Sequence, residues 1–157
     1  MPNYCDNTLG ISGTPEVISE LRAKLRTAPD QLLDFNAIFP PPPELQAQAK
    51  NGEYREVNNW CIANWGTRSN AWFCDDELVE YSDTHHVIQY IFSTAWSPAL
   101  GVVRELIKQY PSLHIAYVYS ESGNDFSGFL DYDPEQGITE NDEGEYGEFH
   151  GTREEYL

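Results

Sequence analysis

His86-Val87-Ile88-Gln89-Tyr90-Ile91-Phe92-Ser93-Thr94 is the stretch from which the fold is read. In an extended chain Ile88, Tyr90, Phe92 and Thr94 fall on one side, and Val87, Gln89, Ile91 and Ser93 on the other. Both sides are largely covered, which predicts a central strand. Directly after it, Ser97 and Pro98 offer an N-cap and a first helical position. Ala99, Val103, Leu106, Ile107 and Tyr110 then recur at helical spacing, and Pro111 ends the run. Trp96 and this apolar face are expected in the core. Leu113 to Tyr119 predicts a further strand, Ser122-Gly123-Asn124-Asp125 a turn, and Phe126 to Tyr132 a hairpin partner.

Toward the N-terminus, Asn7 to Gly13 alternates as a half-buried strand. Thr14 caps and Pro15 opens a helix expected over Pro15 to Thr27, with Val17, Ile18, Leu21 and Leu25 on one face. The prolines Pro40 to Pro43 make a rigid connector, because proline can neither join a ladder nor continue a helix. Glu44 to Lys50 reads as a short helix ended by Asn51-Gly52. Trp60 to Arg68 is dense in aromatics without a clear period and is expected to pack as an ordered insertion. Ala71 to Cys74 and Leu78 to Tyr81 have strand character, interrupted by Asp75-Asp76-Glu77. With residues 28–70 set aside as an insertion, the order is β-α-β-β-α-β, the α+β plan of the ferredoxin-like sandwich: an antiparallel sheet with two helices on one face. The expected organisation is a single domain over 1–157. It carries an extra C-terminal strand and, over 133–157, an acidic tail that is irregular or partly disordered.

A chain of 157 residues can bury roughly 70% of its unfolded surface, and four Trp, ten Tyr and seven Phe supply bulk for a core without disulfides or metal. Cys5, Cys61 and Cys74 have no CxxC spacing and read as reduced thiols packed as small hydrophobes. The N-terminal stretch has neither the basic nor the apolar block of a signal peptide, and no segment approaches the roughly 20 apolar residues of a membrane span, so a cytoplasmic location is expected.

The formal net charge is −17. Residues 1–120 hold 14 acidic and 8 basic side chains, whereas residues 121–157 hold 12 acidic side chains against Arg153 alone. Such a balance repels phosphates and anionic lipid and favours a basic protein surface or a cationic ligand.

The sequence lacks GxSxG, GxxxxGK, HExxH and GxGxxG signatures. His85 and His86 would point to opposite sides of a strand and could not share a metal. Asp131, Asp133, Glu135 and Asp142 have the spacing of a calcium loop, but Gln136 stands where glycine is required and Pro134 intrudes. No catalytic residue, cofactor or metal is therefore assigned. Trp60, Trp65, Trp72 and Trp96 are candidates for a ligand pocket, with a buried aromatic core as the competing reading.

Four segments carry a family resemblance: Met1-Pro2-Asn3-Tyr4-Cys5-Asp6-Asn7, Trp60-Cys61-Ile62-Ala63-Asn64-Trp65-Gly66-Thr67, Thr94-Ala95-Trp96-Ser97-Pro98 and Gly123-Asn124-Asp125-Phe126-Ser127-Gly128. They resemble the YubB-type ferredoxin-like domain family, small proteins of unknown function carried largely by plasmids, phages and other mobile elements. The sequence departs from that pattern at Tyr4 and at Arg68-Ser69-Asn70. The resemblance implies the fold and a mobile-element setting, and supplies no catalytic residues. Together with the charge, it leads to the expectation of a non-enzymatic acidic protein that binds a basic surface of a host protein, as a DNA mimic or anti-defence factor. The candidate contact residues are Asp125, Asp131, Asp133, Glu135, Asp142, Glu143 and Glu145. The alternative is a small-ligand-binding domain or enzyme that uses the Trp-rich insertion.

Overall fold

The computed structural model describes residues 3–145. Strand β1 (Tyr4–Gly13) leads into helix α1 (Pro15–Leu25); helices α2 (Pro43–Lys50) and α3 (Arg55–Asn64) follow, then strands β2 (Trp72–Glu80) and β3 (His86–Ala95). Helix α4 (Leu100–Gln109) precedes β4 (His114–Glu121), β5 (Phe126–Asp133) and β6 (Gly137–Glu145). The sheet order is β2-β3-β1-β4-β5-β6, and all neighbours are antiparallel. Its first four strands reproduce the ferredoxin-like order, with β5 and β6 added outside β4. Among the described residues no helix is long and apolar enough to cross a membrane.

Register explains which side chains become core. Leu9 lies between Tyr90 and Tyr117, and Ile11 between Ile88 and Ile115, so these residues share one sheet face. Helix α1 adds Ile18, Leu21 and Leu25 to that face, and α4 adds Val102, Val103, Leu106 and Ile107; all belong to one buried cluster. On the opposite face Gly10, Gln89 and Ala116 stand side by side across β1, β3 and β4. As expected, β3 is an interior strand.

Helix α1 ends at Leu25 rather than Thr27 because the Leu25 carbonyl accepts the Asp34 N–H at 2.9 Å, and the returning chain takes the place of another helical turn. Asp34 also closes the insertion. Its carboxylate accepts from Thr27 Oγ1, Asn36 N and Asn70 Nδ2, while Asn70 Oδ1 accepts from the Phe35 and Ala71 amides. Burial opposes charge on Asp34, but these donors outweigh it and hold the carboxyl below its ordinary value.

Several local expectations are corrected. The aromatic stretch is not irregular through its first half: α3 presents Val57, Trp60 and Cys61 to the core at i, i+3 and i+4, a period hidden in the sequence by Asn58, Asn59 and Asn64. The segments on either side of Asp75-Asp76-Glu77 form one strand, because β2 is a sheet edge where acidic residues can reach solvent, and Asp76 pairs with Arg22 of α1 at 3.1 Å. Ser97 does not cap α4; Ala99 holds that position, while Ser97 Oγ donates to the Gly66 carbonyl at 2.6 Å. Trp96 is 45% exposed, because φ = +68° turns the chain out of β3 at that residue. The acidic segment beyond Pro134 forms β6 as far as Glu145, paired to β5; residues 146–157 of the expected tail lie outside those described.

Gln89 Nε2 and the Tyr90 hydroxyl are buried without a hydrogen-bond partner among the described residues. An unsatisfied buried hydroxyl costs stability, whereas a filled apolar site contributes it. Tyr90→Phe is therefore expected to stabilise the protein by about 1 kcal/mol. Leu106→Ala, which empties a fully buried site, should destabilise it by about 2–5 kcal/mol. Urea denaturation of the two variants checks both the opposite signs and the sizes.

Candidate functional site

Three of the quoted segments meet in a buried knot of polar side chains. Asn7, on β1 and 2% exposed, is its centre. Its Nδ2 donates to the Cys5 carbonyl at 3.0 Å, the Phe92 carbonyl at 3.3 Å and Thr94 Oγ1 at 3.1 Å; its Oδ1 accepts from the Tyr117 hydroxyl. The same Tyr117 oxygen accepts the Ala99 N–H at 2.9 Å, and Thr94 Oγ1 donates to the Ser97 carbonyl at 2.7 Å. Around Ala95, Thr67 Oγ1 donates to the carbonyl and Ser69 Oγ accepts from the amide, both at 2.9 Å. The knot joins β1, β3 and β4 to the loop after α3 and to the start of α4.

That junction is tight. A Cβ on Gly101 would sit 1.7 Å from the Asn64 carbonyl oxygen, and Gly66, at φ = +91°, would bring one to 2.9 Å from the Pro98 carbonyl oxygen. Only glycine admits both approaches. The quoted motifs therefore hold elements together rather than line a cleft.

The thiols are poor nucleophiles. Burial pushes Cys5 from 9.0 to about 12 and Cys61 to about 11, and burial with the carboxylates of Asp76 and Asp75 pushes Cys74 to about 12. At neutral pH all three are protonated. Burial also drives the Tyr117 hydroxyl well above its ordinary value, consistent with its role as a donor to Asn7. Among the described residues no group of three or more His, Cys, Asp or Glu side chains is placed to hold a metal ion.

The candidate carboxylates spread along one end of the sheet. Asp125 is exposed in the β4–β5 turn at φ = +54°. Asp131 on β5 lies 3.1 Å from His114 Nε2 on β4. Asp133 closes the β5–β6 turn by accepting the Glu135 and Gln136 amides at 2.8 and 3.2 Å, and Glu135 is exposed beside it. Asp142, Glu143 and Glu145 fall on β6, with side chains outside the described ones. Glu121 stands apart from these: it is 1% exposed, and its two oxygens accept the Gly123 and Asn124 amides at 2.7 and 2.8 Å. It is a turn-forming carboxylate, and its place two residues before a Gly-Asn pair is the signal for it in the sequence.

A family model described as "Ferredoxin-like domain in Api92-like protein" matches residues 70–156, from the start of β2 onward. The chain belongs to that family. The crystal structure of protein api92 from Yersinia pseudotuberculosis is similar in fold, with a TM-score of 0.53 and 14% identity, over 71% of this chain and 39% of that one. The match thus spans well under half of the Yersinia chain, and the likeness is one of fold. No curated protein matches.

Within this Api92-like domain the four tryptophans do not converge. Trp65 is 4% exposed; its ring meets Phe35 and Trp60, and its Nε1 donates to the Phe39 carbonyl at 2.7 Å. Trp60 packs edge-on against Phe39 as well as Trp65. These two are core. Trp72 lies at the sheet edge against Tyr4, and Trp96 projects separately from the end of β3.

Asn7→Ala would leave the Tyr117 hydroxyl without its acceptor and Thr94 without a donor, at a cost of at least about 2 kcal/mol. Tyr117→Phe removes one end of the same bond. The double variant is expected to lose less than the sum of the two, with a coupling of about 1–3 kcal/mol by chemical denaturation; additive losses would contradict the knot.

Proposed function

We propose that this protein is a non-catalytic binding domain that docks on a basic surface of another protein through the carboxylates of β5 and β6. The observation that carries this reading is the concentration of 12 acidic side chains against one basic side chain after Ser120, with Asp131 and Asp133 on β5 and Asp142, Glu143 and Glu145 on the edge strand β6. Asp125 and Glu135 lie beyond opposite ends of β5, whose eight residues span roughly 26 Å at about 3.3 Å each. The stripe between them includes Asp131, Asp133 and the β6 positions. The ion pair Arg104–Glu140 neutralises one neighbouring carboxylate, and His114 faces Asp131, but the turn carboxylates remain open to a partner.

The resemblance to YubB-type proteins supports a mobile-element setting with a host protein as partner, and in that setting an acidic stripe can stand in for DNA. Magnitude limits the imitation. Duplex DNA would present roughly 15 charges over the same roughly 26 Å, about twice the candidate carboxylates, so affinity must also draw on shape. Association of this kind weakens as the Debye length falls from about 10 Å at 0.1 M salt to about 3 Å at 1 M.

Affinity capture from host lysate should recover a basic protein at about 0.1 M salt and lose it at about 1 M. Asp125→Asn combined with Asp131→Asn and Glu135→Gln should lower its recovery while leaving the denaturation midpoint unchanged. A partner held equally by both forms at both salts, or no specific partner, overturns the reading.

A further inference from the structure

At the edge of the sheet away from the carboxylate stripe, three aromatic rings help to line an open cavity. Tyr4 stands edge-on to Trp72 at 6.0 Å and 83°, and to Phe73 at 5.8 Å and 87°. Neighbouring residues on a regular strand point to opposite faces, so Trp72 and Phe73 should not meet one ring. They do so because the ladder shifts register between Trp72 and Asp75 and Phe73 adopts φ = +53°, a left-handed conformation costly for a bulky residue. Burial does not offset that strain. Phe73 is 75% exposed and Tyr4 40% exposed. A strained, bulged edge that holds two aromatic side chains in water against a third is the kind of outlier that points to binding.

The cavity measures about 350 Å³ and is lined by Tyr4, Asp30, Gln31, Ala71, Trp72 and Phe73. The one charged side chain in that lining is Asp30. The Gln31 amide nitrogen is already committed to the Leu33 and Ala71 carbonyls at 2.6 and 3.1 Å, which leaves the amide oxygen as what that side chain can still offer. Asp30 is exposed and forms no ion pair among the described residues. The lining contains no lysine or arginine. Aromatic walls, a carboxylate and a free acceptor suit a cation whose charge is spread over methyl groups: the ring faces attract it and the methyls fill apolar space. A phosphate or carboxylate ligand would meet the Asp30 carboxylate with no cationic side chain to offset it.

We propose that Tyr4, Trp72, Phe73 and Asp30 form an aromatic cage for a methylated ammonium group. The site is separate from the carboxylate stripe and stands without it. The group can come from a free quaternary ammonium compound or from a methylated lysine of a protein, and one experiment separates the two.

The indole N–H resonance of Trp72, assigned with Trp72→Phe, would be followed by two-dimensional NMR during titration. Choline should move it saturably, whereas 3,3-dimethylbutan-1-ol, the neutral compound of the same shape, should bind about tenfold more weakly. Phe73→Ala and, separately, the surface change Asp30→Asn should each weaken choline binding about fivefold or more. The other three indole signals report that each variant is folded. A trimethyl-lysine peptide that binds more tightly than both choline and its unmodified counterpart identifies a protein side chain as the source; tighter binding of choline identifies a free compound. No saturable movement of Trp72, equal binding of the neutral compound, or indifference to both substitutions overturns the proposal.

Discussion

The fold depends on one buried amide. Asn7 sits on the central strand β1, where the helix-facing residues that follow, Leu9 and Ile11, are apolar. An amide there is tolerable only if its donors and acceptor are all engaged, since a buried polar group without partners costs several times what a typical hydrogen bond contributes. Asn7 meets that condition through β3 on one side and Tyr117 of β4 on the other. The bonds are directional, so they fix the mutual register of three strands more tightly than apolar packing does. Through Tyr117 and Thr94 the same network reaches the start of α4, which explains why that helix begins at Leu100 and not earlier.

From this centre the aromatic residues divide into two populations. Phe35, Trp60, Trp65 and Phe92 interlock edge-to-face and let the insertion share the main core, so residues 28–70 are an integral part of the domain. Tyr4, Trp72 and Phe73 meet near the starts of β1 and β2, and Trp96 projects separately from the end of β3; these residues are more exposed, with strained backbone at Phe73 and Trp96. The first population accounts for folding. The second needs a different explanation.

Charge is divided in a similar way. Glu121, Asp34 and Asp133 use their oxygens to close turns, and Asp76 and Glu140 tie edge strands to α1 and α4 through Arg22 and Arg104. Asp125 and Glu135 lie at turns on either side of β5 with their carboxylates toward solvent. An acidic chain thus uses part of its charge for structure and leaves the rest as a field around β5 and β6.

The order of strands and helices was determined by the sequence itself, because apolar periods of two and of 3.6 residues, with Pro98 and Pro111 flanking α4, are local signals. So was the excess of negative charge after Ser120. The structure of the middle segment was decided only in three dimensions: three asparagines mask the helical period of α3, and its apolar side becomes visible once Phe35 and Phe39 are packed against it. The meeting of Trp72 and Phe73 with Tyr4 also depends on a partner far away in the chain. The same holds for Asn7, which reads locally as one polar residue in an alternating strand. Its role exists only where Phe92, Thr94 and Tyr117 converge on it, since a hydrogen bond needs its partner in place and a periodic pattern carries no information about which distant residue that will be.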